Sequence, residues 1–293
     1  MIICRFLGGL GNQLFQYAAA RSLANRCRSE VVADSRLFAS YKLHSYLIDR
    51  FPVRMVDASS ADLRGMILPP EKRGPVNWLY WSVRNRGRLN VFREKSLRYQ
   101  PQFEDLADNT YLWGYWQSEK YFRSIEPLLR EELAIPEPAD EANQEALKQI
   151  RSEWSVSLHI RRGDYVSNSK TNQIHGTCSL DYYQEAARFM ADQAGEPPVF
   201  FVFSDDSVWT RENLKLPFPM KFMSHNPVDV PLADLKLMSS CRHHVIANSS
   251  FSWWGAWLNP SPEKTVVACR TWFADPGRDD RDIVPDSWHR IGP

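Results

Sequence analysis

Short apolar segments alternate with helix-like segments along most of this chain. Residues 1–6, 30–34, 198–203 and 265–268 each hold a short apolar run, and residues 155–160 (SVSLHI) alternate as a strand does. The segments between these runs carry apolar residues at helical spacing. Such an alternation builds right-handed β-α-β units, and the sequence therefore predicts an α/β protein with parallel sheets.

A proline-rich segment divides this pattern into two halves. Residues 135–142 read IPEPADEA, and two closely spaced prolines interrupt both helices and strands. A chain of 293 residues is long enough for two domains of about 150 residues each. We therefore expect one α/β half over residues 1–140 and a second over residues 141–293.

Charge and cysteine usage exclude several classes of protein. Lys and Arg total 36 against 35 for Asp and Glu, a balance that argues against a protein built mainly to coat nucleic acid or an anionic membrane. The longest apolar run, residues 199–203, is far shorter than the ~18–20 residues of a membrane span. Five widely spaced cysteines, with no apolar signal segment before them, favour reduced thiols and a cytoplasmic location.

Glycines and polar side chains follow two of the predicted strands. Residues 8–13 (GGLGNQ) form a turn through which a phosphate or sugar could approach the backbone, although a purely structural turn fits as well. In residues 159–164 (HIRRGD), His159 and Arg161 share one face of the strand end. Arg161 could clamp phosphate oxygens with two N–H groups, or it could form an ion pair with an aspartate.

Two further motifs have both a functional and a structural interpretation. Residues 203–206 (FSDD) could bind ribose, hold a metal with a third ligand that we do not identify, or cap a helix through Ser204 or Asp205. Residues 248–257 (NSSFSWWGAW) place hydroxyls at a helix start suited to a diphosphate, whereas the tryptophan spacing is more typical of a core than of a sugar platform.

Aromatic and basic clusters lie in the first half. Residues 113–117 (WGYWQ) could stack on the C–H faces of a sugar or simply fill the core. Residues 84–98 contain five arginines and one lysine. A solvated face is the plain interpretation of this stretch, and peripheral contact with the inner membrane face or with an anionic substrate is the alternative.

Taken together, these motifs resemble those of the α-1,2-fucosyltransferases, glycosyltransferase family 11. The pairing of residues 159–164 with residues 248–257 is the most specific part of the resemblance. The resemblance implies a GT-B-like fold of two Rossmann-like α/β halves with a cleft between them. It also implies an inverting, metal-independent transfer of L-fucose from GDP-β-L-fucose to the 2-hydroxyl of a terminal β-galactoside, with no cofactor besides the donor.

The resemblance, extended to the α-1,6- and protein O-fucosyltransferases, also implies roles for single residues. Arg161 would hold the β-phosphate and Asp234 the guanine, while Asn12 would lie near the transferred sugar. The second half would bind the donor and the first half the acceptor. The implied donor-binding residues are His159, Arg161, Asp234, Asn248, Ser249, Ser250 and Phe251. The acceptor residues suggested by the aromatic motif are Trp113, Tyr115, Trp116 and Gln117.

The general base is not assigned by this resemblance. Ser169 stands where the α-1,6 enzymes carry a glutamate. Asp164 and His175 are the candidates, with solvent or the phosphate as alternatives. Two other classes compete with this interpretation: a different sugar-nucleotide transferase and a non-catalytic sugar-binding protein. The sequence gives neither the acceptor glycan nor the oligomeric state.

Overall fold

Two separate parallel sheets organise the chain, each inside its own compact unit. The computed structural model describes residues 1–40, 43–59, 61, 66–70, 74–227 and 229–292, without the side chains of Asp164, Ser167 and Lys170. The units are Met1–Ala134 and Ile135–Pro293. The predicted pair of Rossmann-like α/β halves is confirmed.

The first unit is built on a five-stranded sheet of order β3-β2-β1-β5-β4, with every strand pair parallel. The order reverses between β1 and β5, so the carboxyl ends of these two strands flank a topological switch point. The strands are β1 (Ile2–Arg5), β2 (Val31–Asp34), β3 (Met55–Asp57), β4 (Asn90–Arg93) and β5 (Thr110–Trp113). The α-helices are α1 (Leu10–Cys27), α2 (Pro75–Asn85) and α3 (Glu126–Glu132).

The second unit is built on a six-stranded parallel sheet of order β11-β10-β9-β6-β7-β8. Its switch point lies between β6 and β9. The strands are β6 (Ser155–Ile160), β7 (Val199–Ser204), β8 (Met220–Met223), β9 (His243–Ile246), β10 (Val266–Cys269) and β11 (His289–Ile291). The helices are α4 (Glu141–Ser152), α5 (Gly163–Ser167), α6 (Ser169–His175), α7 (Leu180–Gln193), α8 (Ser207–Asn213), α9 (Pro231–Ser240) and α10 (Ser250–Leu258).

The central strands are buried over their whole length in both sheets. Every residue of β1 and of β6 is buried. The apolar run predicts this for β1, whereas β6 alternates and buries its polar residues Ser155, Ser157 and His159 as well. Helix α10 carries Trp253, Trp254 and Trp257 into the core, where they are at most 3% exposed. The core interpretation of these tryptophans is therefore confirmed. No helix in the described part of the chain is both long and apolar enough to cross a membrane.

Candidate functional site

The predicted motifs of the second unit follow three adjacent strands. In the sheet order β9-β6-β7, Arg161 follows β6, Asp205 follows β7, and residues 248–250 follow β9. The carboxyl ends of parallel strands meet at one edge, and the switch point between β6 and β9 opens a crevice there. The second unit thus gathers its most specific motifs at the place where α/β sheets bind ligands.

Asp205 orients the loop that carries Arg161. Its Oδ2 lies 2.9 Å from Arg161 Nη1, and its Oδ1 accepts a hydrogen bond of 2.8 Å from the Arg162 backbone N–H. A Cβ at Gly163 would lie 2.6 Å from Asp205 Oδ2, so the close approach requires glycine. The ion-pair interpretation of Arg161 therefore applies, with Asp205 as its partner. A guanidinium has five N–H donors, so this pair leaves the group able to bind a phosphate as well.

Asp206 fixes the neighbouring side chain. Its Oδ1 accepts from Trp209 N and so caps α8; a helix cap was expected in this motif, but from Ser204 or Asp205 rather than from Asp206. Its Oδ2 lies 3.3 Å from Arg162 Nε, and the Arg162 guanidinium lies 3.4 Å from the centre of the Trp209 ring. Both carboxylates of the motif thus face arginines. Among the described residues no group of three His, Cys, Asp or Glu could hold a metal ion.

His159 lies at the end of β6 and is only 4% exposed. Burial lowers the pKa of its imidazole to about 4; Arg161 lowers it too, whereas Asp205 opposes the shift. The ring is therefore neutral near pH 7, and its centre lies 5.9 Å from that of Phe251. His159 Nδ1 has no hydrogen-bond partner among the described residues, so a bound ribose or base could use it.

Residues 248–250 form the turn between β9 and α10. Ser249 Oγ accepts from Phe251 N at 3.3 Å and caps the nine-residue helix α10. The start of a helix is a place that favours a diphosphate. The Asn248 amide donates to the carbonyls of His175, Gly176 and Trp272. Asn248 was predicted to bind the donor; its amide instead fixes the turn.

Tyr165 links the turn to Arg161, a role that sequence reasoning did not give it. Its hydroxyl donates to Asn248 O at 3.3 Å, and the Arg161 guanidinium lies 5.4 Å from its ring centre. The Tyr165 ring also stacks on His175, with the ring centres 4.7 Å apart. His175 is thus brought to the same edge as Arg161. The side chain of Asp164 lies outside the described residues.

Asp234 occupies the first turn of α9 and is held by a network of amides. Asn226 Nδ2 donates to Asp234 Oδ1 at 2.7 Å, and Asn226 is paired in turn with Asn143. Burial raises the pKa of the Asp234 carboxyl to about 6, against the Asn226 hydrogen bond and the charge of His225. Above that pH its carboxylate can accept the N–H groups of a base such as guanine.

The first unit has its own cluster at the switch point between β1 and β5. Asn12 follows β1 and its Oδ1 accepts from Gln117 Nε2 at 2.7 Å, with Gln117 four residues beyond β5. Gly8, at φ +83°, lets Asn12 approach the turn, since a Cβ there would lie 2.6 Å from Asn12 Nδ2. The N-cap of α1 is Gly9, so Asn12 does not cap that helix.

Gln13 and Gln16 explain the rest of the glycine motif. Gln13 is fully buried and bonds the backbone at Gly8, Ser45, Leu47 and Ile48. Gln16 bonds both backbone groups of Leu7 and the carbonyl of Gly114. These two amides hold the turn to the neighbouring backbone, whereas the Asn12 side chain is partly exposed.

The aromatic motif of residues 113–117 is divided between core and surface. The prediction that Trp116 and Trp113 stack on a sugar is wrong, because their exposed fractions are 0% and 7%. Trp116 packs on Phe92 at 5.7 Å, and Trp113 lies beneath the Arg5 guanidinium at 4.1 Å. Tyr115, at 38% exposed, is the aromatic ring of this motif that can meet a ligand.

Glu94 holds this motif in place and was missed by sequence reasoning. Its carboxylate accepts from Tyr115 N at 2.7 Å and from Trp116 N at 3.0 Å. Trp116 has φ +58°, a left-handed conformation that costs a non-glycine residue about 1 kcal/mol or more. Burial raises the pKa of Glu94 to about 7, although both hydrogen bonds oppose the shift. An isolated glutamate between basic residues gave no signal of this.

Sequence comparison finds close likeness over the whole chain. The model of glycosyl transferase family 11 matches residues 101–292. The chain is 33% identical to an alpha-1,2-colitosyltransferase of Escherichia coli, over 99% of both chains. It is also 33% identical to the O-antigen biosynthesis glycosyltransferase WbnK of Escherichia coli, over 96% of this chain and 97% of that protein. It is 25% identical to the bovine galactoside 2-alpha-L-fucosyltransferase SEC1, over 86% of this chain and 62% of that one.

A search of solved structures finds the NodZ alpha-1,6-fucosyltransferase co-crystallised with GDP. The match has a TM-score of 0.48 and 16% identity, over 88% of this chain and 92% of that one.

Proposed function

Since the chain belongs to glycosyltransferase family 11, we propose that it transfers L-fucose from GDP-β-L-fucose to the 2-hydroxyl of a terminal β-galactoside. The linkage formed is α-1,2, with inversion at the anomeric carbon. The observation that carries the proposal is the meeting of Arg161, His159 and the Ser249–Ser250 turn at one switch point. Mammalian relatives named as galactoside fucosyltransferases support the acceptor class.

The donor diphosphate lies between Arg161 and the start of α10. Breaking the bond between sugar and phosphate builds negative charge on GDP, and that charge is stabilised by a cation and by helix N–H groups. Asp205 keeps the guanidinium in place before the substrate arrives, so little reorganisation is needed. The reaction then needs no metal ion.

The guanosine part of the donor is recognised by two side chains of the second unit. The Asp234 carboxylate accepts from guanine, and the neutral His159 ring bonds the ribose or base. Phe251, beside His159, provides an apolar contact. Asn12 and Gln117 belong to the acceptor side, where the Asn12 amide bonds the glycosidic oxygen or the acceptor as charge develops.

The proton of the acceptor hydroxyl needs a base. His175 is the described candidate, with its ring against Tyr165. Asp164, solvent and the leaving phosphate are the others.

A second candidate donor is favoured by one observation. A relative named as a colitosyltransferase is 33% identical to this chain, whereas the mammalian fucosyltransferases are 25–26% identical. Colitose is L-fucose without its 3-hydroxyl, so the diphosphate and guanine contacts would be shared. The difference between the donors lies in the contact to that one hydroxyl.

The test is a donor and acceptor screen with the purified protein. GDP-fucose and GDP-colitose are each offered with β-galactosides in EDTA, and the linkage of the product is read by NMR. We expect an α-1,2-fucosylated galactoside to form in EDTA, and none with Arg161→Ala. Turnover with GDP-colitose but not with GDP-fucose would show that colitose is the transferred sugar. Activity that requires Mn²⁺ would contradict the metal-independent mechanism.

A further inference from the structure

Helix α2 carries an apolar stripe on its solvent side. Val76, Leu79, Tyr80 and Val83 are 76%, 68%, 63% and 67% exposed. Their spacing of three and four residues places them along one face of the helix. Scattered single apolar residues are ordinary on a protein surface, whereas a contiguous stripe of four marks an interaction site.

The opposite face of α2 is fixed in the core of the first unit. Trp81 is 8% exposed and donates from Nε1 to Ile67 O at 2.7 Å. Trp78 stacks on Trp113 at 5.8 Å, and the Asn85 amide donates to Leu89 O. Turning the stripe inward would break all of these contacts, so the stripe stays on the exposed face of the helix.

The charge beside the stripe has one sign. Residues 74–93 contain four arginines and no acidic residue. Arg84, Arg86 and Arg88 are all exposed, and they follow the stripe at the end of the helix and just beyond it. Arg84 also donates to the Tyr80 hydroxyl, which fixes a cation next to an aromatic ring. An apolar stripe with arginines at its border is complementary to a surface of acyl chains under anionic headgroups.

Self-association fits this surface less well. Four side chains of one helix offer less than the ~800 Å² per partner that a specific stable interface buries. A two-fold dimer through the stripe would also bring like-charged arginines toward one another.

We propose that the α2 stripe, Val76, Leu79, Tyr80 and Val83, rests on an anionic phospholipid surface with Arg84, Arg86 and Arg88 at its headgroups. The stripe enters the boundary between headgroups and acyl chains, and Tyr80 lies at the level where aromatic rings with a polar end concentrate. This contact is peripheral, since the stripe reaches only the boundary between headgroups and acyl chains, and α2 neither spans the bilayer nor unfolds.

The test is co-sedimentation of the full-length protein with vesicles. One set is pure phosphatidylcholine, and the other contains about 30% phosphatidylglycerol. We expect binding to the anionic set only, decreasing severalfold as salt rises from about 0.05 M to about 0.5 M. The double variant Leu79→Glu/Val83→Glu should lower binding to the anionic vesicles about tenfold or more. The double variant Arg84→Gln/Arg86→Gln should lower it by a similar factor.

A matched control comes from α8. Val208→Glu changes a valine that is 68% exposed, against 67% for Val83, and should leave vesicle binding unchanged. Turnover of a soluble acceptor should be the same in all of these variants. Equal binding by the wild type and Leu79→Glu/Val83→Glu would overturn the proposal. A wild-type dimer that dissociates in that variant would also overturn it, since the stripe would then bind a second copy of the chain. A loss of turnover with a soluble acceptor would overturn it as well, since the stripe would then belong to the acceptor site.

Discussion

At the scale of single residues, the proposed role of Arg161 is to stabilise the leaving diphosphate. We expect Arg161→Ala and Arg161→Lys both to lose about 2–4 kcal/mol of transition-state stabilisation. Lysine keeps the charge, but its ammonium group cannot form the two parallel hydrogen bonds of a planar guanidinium. The measurement is kcat with saturating donor and acceptor. Arg242→Lys is the control, since Arg242 pairs with Glu196 at 3.5 Å before β9 begins, at the other edge of the sheet. An Arg161→Lys variant that keeps most of its kcat would remove Arg161 from this role.

Asn12 should act on the chemical step rather than on donor affinity. Asn12→Ala is expected to lower kcat by about 100-fold or more, while the Kd for GDP stays within a few-fold. Loss of the bond to Gln117 alone costs about 1 kcal/mol of stability, and Gln117→Ala removes that same bond while keeping the Asn12 amide. Melting temperature, GDP affinity and kcat are measured on both. An Asn12→Ala protein that melts earlier yet turns over normally would leave Asn12 a purely structural residue.

At the scale of elements, the sequence predicted the central strands β1, β2, β6, β7 and β10 and several of the helices between them. Among the elements that it missed are α2 and β4, within residues 70–100, and α2 was missed for a physical reason. Helix α2 has tryptophans on its core side and Val76, Leu79, Tyr80 and Val83 on its outer side, so its sequence has no polar face to reveal a helical period. The motif residues themselves were found, but their division between core and surface was not, because burial depends on long-range contacts such as that of Trp116 with Phe92.

The turn after β5 gives a pH prediction through Glu94. Burial raises the pKa of this carboxyl from 4.5 to about 7, so the unfolded chain ionises at lower pH than the folded one. Relative to Glu94→Gln, the wild type should therefore lose on the order of 1–3 kcal/mol of unfolding free energy as the pH rises from 4.5 to 7, and no more above that.

Urea titrations of both proteins across this pH range check the prediction. Glu145→Gln changes an exposed carboxyl and should track the wild type at every pH. A constant difference between the wild type and Glu94→Gln would show that the folded protein ionises Glu94 as the unfolded chain does.

At the scale of the whole molecule, we expect the nucleotide and the acceptor to be bound by different units. GDP added to the full-length protein should slow hydrogen exchange near residues 159–164, 234 and 248–251 more than anywhere in residues 30–130. The physical reason is that the residues proposed to bind the donor lie at the switch point of the second sheet. Mass spectrometry of peptides with and without GDP measures this, and protection centred on residues 30–130 would reverse the assignment of the units.

The division of the chain between Ala134 and Ile135 has an evolutionary consequence. Asn12, Gln117 and Glu94 are bonded within the first unit, while Arg161, Asp205 and Asn248 are bonded within the second. A crossover at residues 134 and 135 would cut none of these bonds. If the second unit binds the donor and the first unit the acceptor, as we propose, recombination between family members at this point would exchange the donor preference without changing the acceptor preference, so each preference could diversify on its own.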